Sequence, residues 1–142
     1  MKATAQLMAK VELNSRNVFN ISKPAGYRCQ VFHYHRKLSR LYLSVYKGQR
    51  NQPAIYILFS DVAYIEAPMS WLGADFSIAS KQECIDLMID VGLIGPAIRQ
   101  FPDAYASITD YARLYTVNSP NSVIRIIASS GTLLRSIPSE IL

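Results

Sequence analysis

Long apolar runs are missing from this 142-residue sequence: the most continuous one, Ile55 to Phe59, has the length of a strand, whereas a bilayer-spanning helix needs about 20 residues. The first residues, Lys2 followed by Ala3, Thr4, Ala5 and Gln6, lack the apolar core of roughly 7 to 15 residues that an export signal needs. No membrane insertion is expected, and the expected location is cytoplasmic. Cysteine is scarce. Cys29 and Cys84 are 55 positions apart and form no Cys-x-x-Cys pattern, which excludes a disulfide scaffold and predicts two reduced, buried thiols. There is no Gly-x-Ser-x-Gly, no glycine loop with a Walker lysine and no Gly-x-Gly-x-x-Gly, so the common signatures of acyl and phosphoryl transfer and of dinucleotide binding are absent. No catalytic residue and no cofactor is expected. Internal repeats, low-complexity tracts and hydrophilic linkers are absent too. With 50% hydrophobic residues, 18% charged residues and a mean hydropathy of +0.10, the chain has enough apolar surface to offset the entropy of ordering it. The expectation is one soluble domain spanning 1–142.

What is present is a lopsided charge distribution. From Asn14 to Ser60 there are eight basic residues, Arg16, Lys23, Arg28, Arg36, Lys37, Arg40, Lys47 and Arg50, and no acidic one. From Asp61 to Asp110 the sign reverses, with eight carboxylates against Lys81 and Arg99. Such segregation suits a dipolar molecule that meets an anion at one end or a copy of itself head to tail. It also suits two regions that neutralise each other across a shared surface.

Period-2 alternation predicts strands at Tyr27 to Arg36, Leu41 to Lys47 and Ala54 to Glu66, a meander over 27–66 that follows a turn at Pro24-Ala25-Gly26. A connection through Lys37, Leu38 and Ser39 would pair Val31 with Val45 and His33 with Leu43, collecting aliphatics on one face and tyrosines on the other. The third segment is apolar on both faces and reads as the central strand. Ser80-Lys81-Gln82-Glu83 is a capping box. It opens a helix over about 80–91, with Cys84, Ile85, Met88, Ile89 and Val91 as its buried stripe, Glu83, Asp86 and Asp90 on a solvated side, and Gly92 as its stop. A second helix is expected over 103–112, from Tyr105, Ile108 and Tyr115. Strand patterns return at Leu114 to Val117, Val123 to Ala128 and Thr132 to Ile137 and read as C-terminal hairpins, while the stretch before Asn14 suits helix or strand equally. The fold class is α+β, with a mostly antiparallel sheet and two helices.

Two constellations carry candidate chemistry. His33 and His35 share a strand face and would need a third ligand such as Asp61 to hold a zinc or iron ion. Cys29 lies about 13 Å of strand from His33, too far to share that ion. Half-buried histidines, or Asp61 paired with His35 or Arg40, explain the same residues without a metal. The other constellation is the opposite face of the meander, with Arg28, Gln30, Phe32, Tyr34, Arg36, Tyr42, Tyr46, Tyr56 and Tyr64. Rings interleaved with arginine suit a protein interface, single-stranded RNA, or a core covered by the helices. Trp71, in the segment Pro68 to Gly73, either packs over the core edge or meets another subunit. The leading expectation is a non-enzymatic protein-binding or self-associating module, a homo-oligomer, with Arg28, Tyr34, Arg36, Tyr42, Tyr46 and Trp71 as binding residues. Nucleic acid on the basic meander is the alternative partner, and a metal site at His33, His35 and Asp61 a minor one.

Overall fold

The computed structural model describes residues 17–101, 103 and 106–141. The alternation of the meander becomes three antiparallel strands, β1 (Tyr27–His35), β2 (Arg40–Lys47) and β3 (Ile55–Ser60), which bury Cys29, Leu41, Leu43, Val45, Ile57 and Phe59 on one face. The segment with Trp71 is a short strand, β5 (Ser70–Leu72), paired along β1. At the other edge, β9 (Ser130–Leu134) pairs with β3, giving the order β5-β1-β2-β3-β9. A second sheet has the order β4-β8-β7-β6, from Tyr64–Glu66, Arg125–Ala128, Arg113–Val117 and Phe76–Ile78. Every pairing is antiparallel.

Two chain segments pass side by side from one sheet to the other. Asp61 takes a left-handed conformation, φ 51°, between β3 and β4, and Ser129 separates β8 from β9. The Ser129 amide donates to the Ser60 carbonyl at 2.9 Å and its hydroxyl to Asp61 Oδ2 at 2.7 Å, so both crossings are tied at one corner. The bend folds the sheets face to face around Phe59, Phe76, Tyr115 and Ile126. Phe19 plugs this core, 5.3 Å from the Phe76 ring and 6.0 Å from the Phe59 ring, centroid to centroid. Gly131 makes room for it: a Cβ there would lie 2.8 Å from Phe19 Cζ.

The capping box forms, with Ser80 Oγ accepting from the Glu83 amide at 3.1 Å and opening α1 (Lys81–Asp90). The Glu83 carboxylate takes its return bond from the Ser80 hydroxyl rather than from its amide. Gly92 closes the helix at φ 79°, with Gly92 N donating to Ile89 O and Leu93 N to Met88 O, a Schellman pattern. Cys84, Leu87 and Met88 are buried against Leu114 and Ile127, the residues that alternate with Tyr115 and Ile126 along β7 and β8. The layers are therefore five-stranded sheet, four-stranded sheet, helix, an α+β arrangement dominated by antiparallel sheet. No helix among the described residues is long and apolar enough to cross a membrane.

Several sequence expectations need correction. The helix expected over 103–112 is a single turn, Ala106–Thr109, because Tyr115, counted as its last periodic position, is a β7 residue paired with Ile126. The segment 54–66 is not one central strand: Asp61 breaks it, and β2 is the middle strand. Of the C-terminal hairpins only β7–β8 exists, since β9 turns away to β3. Leu87, missing from the expected helix stripe, is buried, and Val91 is exposed at the C-cap. The N-terminal stretch before Asn14 and the expected helix position Tyr105 lie outside the described residues.

Candidate binding face

β1 and β2 turn their aliphatics inward as expected but not in the expected pairing: Val31 lies opposite Leu43 instead of Val45, whose partner is Cys29, because the loop takes four residues, one more than the expected connection, and a bulge takes another. Between Val31 and His33 the register shifts by one residue, a β-bulge at Phe32. Its effect is to keep both Phe32 and His33 on the outer face: His33 faces Tyr42, not Leu43 as the regular alternation predicted, and Phe32 reaches Tyr56. Tyr34, past the bulge, aligns with inward-facing Leu41 and leaves the ring row, although it is 40% exposed near the strand end.

The outer face is built from Arg28, Gln30, Phe32 and His33 of β1, Tyr42, Ser44 and Tyr46 of β2, and Tyr56 and Leu58 of β3. The Arg28 guanidinium stacks 4.4 Å over the Tyr46 ring, a cation–π contact. Phe32 and Tyr56, from the two flanking strands, meet edge to face at 5.8 Å across β2. With His33, whose ring is 6.2 Å from Tyr42, they roof the middle strand, so that Tyr42 is only 2% exposed and Ser44 only 1%. Tyr42 is therefore a floor for this face and not an accessible ring. Trp71 is also withdrawn: it points inward from β5 opposite Cys29, is 4% exposed, and donates its indole N–H to the Gly73 carbonyl at 3.0 Å. Tyr64 belongs to the other sheet and packs under the helix. Arg36 is exposed in the four-residue β1–β2 loop.

Of the six expected binding residues, Arg28 and Tyr46 lie together on the outer face. Phe32 and Tyr56 were legible as members of the face from their alternation, but the roof they make over Tyr42 depends on the bulge, which no glycine announces.

The electrostatics of this layer are one-sided. Residues 27–60 hold Arg28, Arg36, Lys37, Arg40, Lys47 and Arg50 and no carboxylate. β5 and β9 add none. None of these six cations makes an ion pair among the described residues. The ion pairs present join Lys81 to Asp110, Arg99 to Asp86 and Arg125 to Glu66, all in the remaining two layers. Among the described residues the acidic stretch makes no ion pair with the basic one, although exposed Asp61 comes beside the β1–β2 loop, where the Val62 amide donates to the Ser39 carbonyl at 2.9 Å. The helix-layer carboxylates of that stretch lie on the far side of the four-stranded sheet.

The metal constellation is not assembled. Asp61 is exposed and hydrogen-bonded to Ser129, so it lacks the burial that would demand His35 or Arg40 as a partner. The His33 and His35 rings are 6.2 Å apart, and His35 Nδ1 accepts from the Leu38 amide at 3.2 Å. Among the described residues no group of three or more His, Cys, Asp or Glu side chains could hold a metal ion. Both thiols are free and buried. Burial pushes Cys29 up to about 12 and Cys84 upward from its ordinary value, which keeps both sulfurs protonated and poorly nucleophilic. A cavity of about 400 Å³ opens in the helix layer beside Ile85 and Ile98, where Lys81 and Arg99 are tied to Asp110 and Asp86. The chain matches no protein-family model, no curated protein and no solved structure in these comparisons.

Proposed function

We propose that this chain is a non-enzymatic binding module and that the outer face of the five-stranded sheet is its working surface. The observation that carries the reading is the position of α1, which packs on the four-stranded sheet and leaves the opposite sheet without a helix on its outer face among the described residues. A ring-bearing sheet face with no layer over it is costly to expose unless something covers it in use. Phe32, 39% exposed, and the Arg28–Tyr46 stack sit on that face with cations at both of its ends. Self-association and binding of another protein both fit this composition, since tyrosine and arginine contribute contact area at low entropic cost.

The test is light scattering coupled to size exclusion, at low and high salt and at 260 and 280 nm, on the full chain and on Phe32→Glu. The expected result is that the wild type carries extra mass, or extra absorbance at 260 nm, that Phe32→Glu loses. Identical behaviour of the two proteins in every channel would remove this face as the working surface.

A further inference from the structure

We infer that the partner of the outer sheet face is an unpaired nucleic acid strand, whose bases meet the ring row and whose phosphates meet the cations at its two ends. The inference rests on the reading that this face is the working surface, and goes beyond it by naming the ligand. The first support is the distribution of charge along the strands. Arg36, Lys37 and Arg40 cluster at the β1–β2 loop, while Arg28, Lys47 and Arg50 cluster at the opposite end of the same two strands. β2 alone is eight residues long, about 26 Å at strand rise, and a track of that length suits about four nucleotides, the low end of single-strand site sizes. The second support is the complete absence of carboxylates from residues 27–60. A protein partner tolerates acidic groups at an interface rim, whereas a polyanion is repelled by each of them. Among the described residues no ion pair engages any of the six cations.

The third support is what lies between the two cation groups. The bulge places Phe32 and His33 consecutively on the face, and the Arg28 guanidinium carbon lies 4.4 Å from the centre of the Tyr46 ring. Aromatic faces and arginine planes are the groups on which unpaired bases stack, without regard to sequence. Among the described residues no helix or ribbon protrudes from this sheet face to enter a duplex major groove, so base-paired ligands have only the cations to hold them.

The experiment is fluorescence anisotropy of the full chain, freed of nucleic acid, with a labelled oligouridine and a labelled oligothymidine of about fifteen nucleotides and a duplex of the same length. Both single strands are expected to bind more tightly than the duplex. With about four phosphate contacts the affinity should fall roughly fifty-fold between about 50 and 200 mM salt. Phe32→Ala should weaken binding about ten-fold, the loss of one stack. Phe32→Leu, which refills the space without a ring, should restore stability and not affinity. Arg36→Ala should lower the salt slope by about 0.7, while Arg99→Ala, on the helix layer, should change nothing. Binding of oligouridine alone would restrict the ligand to RNA. Absence of saturable binding to both strands, or an equal loss in Arg99→Ala, overturns the inference. If in that case Phe32→Glu still shifts the native mass, the face is a protein surface and only the ligand is wrong; if it does not, the working surface falls as well.

Discussion

The two sheets share one core and differ in what lies on their far sides. The four-stranded sheet is covered by α1, whose Cys84, Leu87 and Met88 fill the spaces beside Leu114 and Ile127, and its carboxylates are paired with local cations at Glu66, Asp86 and Asp110. Among the described residues the five-stranded sheet carries rings on its far side and no helix, and its cations make no ion pair. Apolar surface and charge that contribute nothing to folding are where binding is to be sought.

The largest expected effect breaks what the sheets have in common. Phe59→Ala empties the centre of the shared core, where the ring packs on Phe19, Phe76 and Tyr115, and should cost about 3–5 kcal/mol in a denaturant titration. The contrast between the far sides is sharpened by a pair of truncations. Leu87→Ala, under the helix, should cost about 2–5 kcal/mol. Phe32→Ala, on the open face, should cost less than about 1 kcal/mol; equal losses would mean that both far sides are structural.

The cysteines extend the comparison to pH. The folded pKa of Cys29 is raised by burial to about 12 from an ordinary 9.0, so its contribution to stability is whole below about pH 9 and is lost as pH rises toward 12, each unit of difference being about 1.4 kcal/mol. Unfolding midpoints measured from neutral to alkaline pH should therefore fall, and the fall should be shallower in Cys29→Ala. Gly131→Ala addresses the join between the sheets: its Cβ would press on Phe19 and Phe59, an overpacking cost of about 1–3 kcal/mol visible as a lower thermal midpoint. The smallest effect belongs to the helix alone. Ser80→Ala removes the bond to the Glu83 amide and should cost about 1 kcal/mol, with little change in the meander's amide protection.

Alternation along Cys29–Val31 and Leu41–Val45 was sufficient to find β1 and β2 and to sort aliphatics from tyrosines on β2, because period-2 burial is a local property of a strand, but not to pair them, since Val31 meets Leu43 and His33 meets Tyr42. The capping box and Gly92 were sufficient for α1, because both act through backbone groups within a few residues. Segregation of the charges was likewise in the chain from the start. Three features depended on contacts between distant segments. Whether Phe32 and His33 share a face was set by a bulge in the β1–β2 pairing, and bulges arise from how two strands fit rather than from either alone. Whether Trp71 was a surface ring or a core one was set by β5 pairing along β1, some forty residues away in sequence. Which sheet the helix covers was set at the Asp61–Ser129 corner, where two segments cross together and divide the strands between the two sheets. Local sequence determined the elements and their amphipathic faces; tertiary packing decided which face stayed open, because burying one face of a sheet requires a partner that only the completed chain supplies.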